Sequence, residues 1–356
     1  MSGITDRWHD RDAEADPGAP AGAAWPAGSP TAPRFPALSP EWGDEVLDEA
    51  TLARMARALT ASGRYRVVEQ FERRDHYHLP QTGAAIRRAL FVDVETTGLD
   101  PSADAIIQFA AVPFSYCPHD GRIFAVGECL TCLEDPGRPI PALVTRLTGL
   151  TDDDVCGRHL DEALIEALVA ETDLVIAHNA GFDRRFLERR IPAFAERPWA
   201  CSQREVPWQE EGLGSAKLEW LAYKHGGMYY QAHQADSDCY MAVHLLATPL
   251  PSGRPALAML LERCRSACVR FWAFGAFEQR RLLKIRGYTF CGGEDGLPKA
   301  WWRDVAAGEA RRETEWLREH VYGGCAKPAY QCVRVDARNR FSARVAPSLA
   351  GNAPIV

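Results

Sequence analysis

The run Ala89-Leu90-Phe91-Val92-Asp93-Val94-Glu95, closed by Thr96-Thr97-Gly98, is the segment that most constrains this chain. It is short, apolar and β-branched, and it ends in turn residues, which predicts a strand running into a turn. Side chains alternate along a strand, so Asp93 and Glu95 point to the same side. Phe91, Val92 and Val94 predict a central strand rather than a solvated edge. Two carboxylates side by side on such a strand repel unless a cation lies between them or solvent screens them.

Two further segments repeat the logic. Asp173 to His178 reads as a buried strand, Asn179-Ala180-Gly181 as a turn, and Phe182 to Leu187 as a helix with Phe182 and Phe186 on its inner face. Asp183 falls in the first turn, where the helix dipole favours an acid. His233-Gln-Ala-Asp-Ser-Asp238 precedes the helical run Cys239 to Leu246, placing Asp238 in a first turn and His233 on the loop before it. Spacing alone leaves Asp236 open as an alternative to Asp238. Taken alone, Asp183 reads better as a plain first-turn acid and His233 as a solvated loop histidine. In this order and these contexts, four carboxylates and one imidazole suit phosphodiester hydrolysis by two divalent cations about 3.5–4 Å apart. Histidine is the side chain that titrates near neutral pH and so suits the general base.

From about Arg87 to Leu246 the chain resembles the DEDDh branch of the DnaQ-like 3′–5′ exonucleases. The likeness rests on VDVETTGLD, IPALVTRLTGLTDDDV, AHNAGFDRRFLERR and HQADSD. His233, five residues before Asp238, marks the histidine branch; the tyrosine branch would carry tyrosine at the position held by Gln234. The resemblance implies an α/β, ribonuclease H-like mixed sheet flanked by helices. It implies that Asp93 bridges both metals, that Glu95 and Asp238 complete the one holding the nucleophilic water, and that Asp183 supports the second through water. His233 would take the proton from the attacking water. Thr96, Thr97, Leu99 and Phe182 match positions near the terminal nucleotide, with Leu99 as a wedge beside its base. Thr148, where relatives often carry histidine, is a further substrate position. The implied activity is release of 5′-mononucleotides from the 3′ ends of DNA. A short-RNA exonuclease, a proofreading subunit and a non-catalytic adaptor stay open as alternatives, as do a homodimer and a polymerase partner. Oxygen-rich ligation suits Mg²⁺ or Mn²⁺ better than zinc.

A formal charge of −7 argues against a broad basic sleeve for long duplexes, though not against a site that grips a strand end. No 18-residue apolar run and no signal-peptide core stand out, so a cytoplasmic protein with no membrane span is expected. The eleven cysteines then read as reduced thiols. Cys129 and Cys132 form a lone C-x-x-C on opposite faces of a strand, which excludes a zinc ribbon. Cys264 and Cys268 read as buried thiols one helical turn apart. Arg184, Arg185, Arg189 and Arg190 read either as a solvated helix face or as an attractor for the nucleic-acid backbone.

Composition divides the chain. Residues 1–40 read as a disordered Pro/Ala/Gly-rich tail. Residues 41–82 read as a helical extension, with helix from Trp42 to about Ala61 and a short strand or arm near Tyr65. Residues 83–248 form the exonuclease domain, 249–258 a linker, 259–324 a small α+β module and 325–356 a tail. In the module, Arg270 to Phe274 reads as a strand, Phe277 to Arg286 as a basic helix, and 288–290 with 300–305 as a hairpin. A last helix spans Glu309 to about Val321. Trp301 and Trp302 must face opposite ways. They read as core, with a stacking platform for single strands beside Lys284, Arg286, Lys299 and Arg303 as the alternative.

Overall fold

The computed structural model describes residues 47–293, 296–323 and 329–347. The expected disordered tail, the start of the expected first helix, and Glu294 and Asp295 of the hairpin loop lie outside the described residues. Two compact units divide at Val67/Val68. In the first, helix α1 (Glu49–Ala61) starts at Asp48, whose carboxylate accepts from the Thr51 N–H at 2.7 Å.

The second unit is built on a mixed sheet. It begins with a short arm strand, β1 (Glu69–Gln70), which lies just beyond the stretch expected to be extended. There follow β2 (Arg87–Thr96), β3 (Ile106–Tyr116), β4 (Ile123–Val126) and β5 (Leu130–Leu133). Helices α2 (Ala142–Thr148), α3 (Asp152–Val155) and α4 (Glu162–Ala170) lead into β6 (Leu174–Ala177), α5 (Ala180–Arg190) and β7 (Trp199–Cys201). Then come α6 (Ser202–Glu205), α7 (Leu218–Leu221), β8 (Met228–Tyr229), α8 (Ala235–Ala247) and α9 (Ala256–Arg265). The sheet order is β4-β3-β2-β6-β7, with β5 also on β3. β2 pairs antiparallel with β3 and parallel with β6. The result is a mixed sheet flanked by helices, as the resemblance implies.

The central strand is apolar on both faces, as its residues require. Phe91 joins a core with Met241, Leu245, Leu257 and Leu260 of α8 and α9. Leu90, Val92 and Val94 face the opposite core with Ile165 of α4 and Phe186 and Leu187 of α5. Asp93 and Glu95 share the parity of Phe91, so they emerge on the α8 side. α9 straddles the expected linker and module, and its buried face belongs to the larger core, because Leu257, Leu260, Leu261 and Cys264 have nowhere else to bury.

The module follows as β9 (Cys268–Ala273), α10 (Arg280–Ile285), β10 (Thr289–Cys291), β11 (Ala300–Ala306) and α11 (Ala310–Trp316). The expected hairpin is the β10–β11 pair. The stretch expected to be a tail contains a strand, β12 (Tyr330–Val335), which completes an antiparallel sheet of order β10-β11-β9-β12. Its six residues pair along the whole of β9, a gain in backbone hydrogen bonds that composition does not reveal. Cys264 ends up on a helix and Cys268 on a strand, not on one helical turn; Cys129 precedes β5 while Cys132 lies within it. All four are free thiols.

Trp301 is 5% exposed and sits in the module core with Phe271 and Leu317. Trp302 lies under the Arg270 guanidinium, 4.1 Å from its ring centroid. Arg286 and Arg303 both pair with the buried Glu313. The tryptophan platform is therefore not formed as expected: one ring is core, the other is half-buried under Arg270, and two of its cations share the buried Glu313 carboxylate.

The segment after β12 turns back onto the larger sheet. The Trp199 N–H on edge strand β7 donates to the Ala337 carbonyl at 2.7 Å. Buried Arg340 pairs with buried Glu205. Arg184 is fully buried and donates to the carbonyls of Arg340 at 2.5 Å and Arg338 at 2.6 Å, and to Glu188 at 2.6 Å. Arg190 pairs with Glu134 and Glu162. Two members of the expected basic cluster thus serve internal contacts rather than a nucleic-acid face.

Candidate metal centre

The strands and helices bring Asp93, Glu95 and Asp238 together. One carboxylate oxygen from each lies within 4.8 Å of the others. Asp93 and Glu95 come from one face of β2, where a register shift between Glu95 and Thr96 turns the strand end. Asp238 is the fourth residue of α8, which packs on that face. Asp183 is the fourth residue of α5 on the other side of the sheet and approaches from there, accepting from the Val94 N–H at 3.2 Å. Asp236 accepts from the neighbouring Ser237 N–H and is outside the trio, so the open choice falls to Asp238.

Burial and mutual repulsion act together on these acids. Asp93 is held well above the ordinary carboxylate range by burial, then by Asp183, Asp238 and Glu95. Glu95 is pushed up to about 8 by burial, then by Asp238 and Asp183. Burial pushes Asp183 up to about 7, against the pull of backbone N–H groups including Val94. Burial also raises Asp238, opposed by the Tyr230 hydroxyl and by His233. Such a cluster stores charge repulsion that a divalent cation relieves. An all-oxygen donor set fits a hard divalent ion.

His233 is exposed and sits at φ +63°, in the left-handed region. Its backbone N–H donates to Asp238 Oδ2 at 3.1 Å. The imidazole is thus next to the trio by chain.

The expected substrate residues divide. Leu99 is 40% exposed and Phe182 is half-buried, its ring tilted against that of Phe186 at 4.9 Å between centroids. Thr96 and Thr97 are buried, and their hydroxyls are spent on the turn. Thr96 donates to the Gly98 carbonyl at 2.5 Å. Thr97 accepts from the Ala105 N–H at 3.0 Å and from Arg138 at 2.7 Å. The Thr148 hydroxyl donates to the Val144 carbonyl at 3.0 Å and accepts from the Leu150 N–H at 3.1 Å, closing the end of α2. A Cβ at Gly98 would sit 2.4 Å from Asp104 Oδ2, so a side chain there requires the Asp104 carboxylate to move.

Sequence reasoning passed over Tyr230, whose hydroxyl donates to Asp238 Oδ1 at 2.6 Å. No helix or strand spacing links positions eight apart through a loop, so nothing in the pattern marked it.

Comparison with known proteins bears on this site. The family model described as an exonuclease matches residues 90–246. The PolC-type DNA polymerase III of Thermotoga petrophila is 38% identical over 120 residues, 33% of this chain and 8% of its own length. The DNA polymerase III subunit epsilon of Treponema pallidum is 28% identical over 168 residues, 44% of this chain and 73% of its own length. Among solved structures, the zinc-bound form of the E. coli ExoI–ssDNA complex is similar with a TM-score of 0.42 at 18% identity, covering 71% of this chain and 64% of that one. This chain therefore spans a small fraction of the polymerase it matches.

Proposed function

Residues 90–246 form an exonuclease domain of the DnaQ-like superfamily, and from this premise we propose that the chain is a metal-dependent 3′–5′ exonuclease acting on DNA ends. The observation that carries the reading is the convergence of Asp93, Glu95 and Asp238, with oxygens within 4.8 Å in a semi-buried site. Two divalent cations of the Mg²⁺ or Mn²⁺ type, when bound, would lower the pKa of the attacking water and neutralise the charge developing on the phosphate and the leaving oxygen. Asp93, Glu95 and Asp238 would hold them, with Asp183 supporting one through water.

The remaining work belongs to the chain's own residues. His233 would accept the proton of the attacking water, a task suited to an exposed imidazole on a loop. Leu99 would pack beside the terminal base and Phe182 near that nucleotide. Thr96, Thr97 and Thr148 would act by shaping the turns that present Leu99 and the end of α2, since their hydroxyls are committed within the protein.

The test is a labelled-strand assay. Single-stranded DNA and matched RNA, each labelled at the 5′ end, are incubated with Mg²⁺, Mn²⁺ or EDTA, beside an Asp93→Ala variant. A ladder that shortens from the 3′ end, vanishes with EDTA and is missing in the variant is expected, with DNA cut faster than RNA. Persistence of cleavage in Asp93→Ala would sink the assignment. A faster rate on RNA would redirect the substrate.

A further inference from the structure

Both oxygens of Asp238 are engaged by one short loop. Oδ1 accepts from the Tyr230 hydroxyl at 2.6 Å, and Oδ2 accepts from the His233 N–H at 3.1 Å. The loop thus closes on the carboxylate at two points three residues apart. Its leading end is tied down separately, through the parallel pair of β1 and β8. There the Phe71 N–H donates to the Tyr229 carbonyl at 2.8 Å. The Phe71 ring lies 5.3 Å from that of His244 on α8, and the Tyr77 hydroxyl is 3.0 Å from His244 Nδ1. The arm therefore fixes the residue before Tyr230 to the helix that carries Asp238.

This anchoring matters because His233 occupies the left-handed region at φ +63°. A side chain other than glycine stays there only where its surroundings over-determine it. The two bonds to Asp238 supply that constraint.

We propose that Tyr230 is a positioning residue of the metal centre: its hydroxyl orients Asp238 toward the cation and ties the His233 loop to the same carboxylate. The proposal rests on the reading of the acidic trio as a cation site. A carboxylate oxygen offers two lone pairs, so the bond from Tyr230 takes one on Oδ1 and leaves the other available to a cation. Hydrogen-bonded partners of ligating carboxylates fix their orientation, and their loss typically weakens metal affinity or activity by about 10–100-fold. The aromatic ring of Tyr230 packs against the larger core, so phenylalanine preserves its packing and removes the hydroxyl alone.

The experiment compares the full chain with Tyr230→Phe, Tyr229→Phe and Asp93→Asn. Tyr229 is 53% exposed and serves as the neighbouring control. Mn²⁺ binding is titrated calorimetrically without nucleic acid, Tm is read in EDTA, and kcat and KM are measured on a single-stranded oligonucleotide. Tyr230→Phe is expected to weaken Mn²⁺ binding about tenfold and to lower kcat by a similar factor, with KM and the EDTA Tm near wild type. Tyr229→Phe should match wild type throughout. If Tyr230→Phe binds Mn²⁺ like wild type while Asp93→Asn does not bind, the role of Tyr230 is overturned and the cation site stands. The role of Tyr230 is equally overturned if Tyr230→Phe lowers only the EDTA Tm. If wild type binds no Mn²⁺, or Asp93→Asn binds as wild type does, the cation-site reading falls and takes the proposal with it.

Discussion

Replacing Arg340 by methionine isolates what holds the C-terminal segment to the exonuclease sheet. Arg340 is 6% exposed and its partner Glu205 is 5% exposed. Methionine keeps the aliphatic stem and deletes the guanidinium. Glu205 then keeps a single protein donor from those observed, the Cys201 N–H at 2.7 Å. The carbonyls of Arg263 and Ser266 lose donors at 3.1 and 2.5 Å. Removing one partner of a buried ion pair costs about 3–5 kcal/mol, chiefly because the other charge stays buried and unpaired. At roughly 2 °C per kcal/mol for a unit of this size, Tm should fall by on the order of 6–10 °C. Chemical denaturation and calorimetry of Arg340→Met, Glu205→Gln and the double variant form a cycle. The double variant buries no net charge at this point, so it should cost clearly less than the sum, with a coupling of about 2–3 kcal/mol. A loss under about 1 kcal/mol for Arg340→Met, or simple additivity, would refute the view that this pair fastens the segment.

Four other outcomes follow. Asp183 and Glu95 have folded pKa values raised to about 7 and about 8, so their protonated forms favour folding and that contribution is lost as pH rises through those values. Without cations, Tm should fall as pH rises from 6 to about 8 and level off beyond, and the gain from added Mn²⁺ should grow over the same range; a flat profile in EDTA would contradict the charge repulsion. Asp93→Asn should raise the EDTA Tm at pH 8 while abolishing the Mn²⁺ gain, and a lowered EDTA Tm would speak against it. His244 is held down to about 4 by burial, then by Arg74, from an ordinary 6.5. It stays neutral in the folded protein, so its own contribution to stability should be lost as pH falls from 6.5 toward 4, by on the order of 2–3 kcal/mol. Denaturation of His244→Gln should show a shallower acid loss, and an identical slope would exclude the histidine as its source. Leu99→Ala removes a half-exposed wedge, so Tm should hold while kcat/KM on single strands drops about fivefold, the value of roughly 1 kcal/mol of lost contact. An unchanged kcat/KM would remove Leu99 from the substrate path.

The parts of the site that local periodicity governs were legible in the sequence. Strand alternation put Asp93 and Glu95 on one side, and turn-then-helix patterns put Asp183 and Asp238 into first turns. What escaped was decided by distant partners. Arg184 reads as one more cation in a basic helix, yet its acceptors lie 154 and 156 residues away. β12 looks like part of a tail until β9 offers it an edge. Tyr230 meets Asp238 through the path of a loop, and loops carry no period. Thr96 and Thr97 were matched to substrate positions, but the buried turn consumes their hydroxyls, a competition that a motif cannot display.

The most direct test of the central claim is anomalous diffraction from crystals of the protein soaked in Mn²⁺. Two anomalous peaks about 3.5–4 Å apart, both within coordination distance of Asp93 and flanked by Glu95 and Asp238, are predicted. Peaks confined to other acidic residues, with none beside Asp93, would contradict the account.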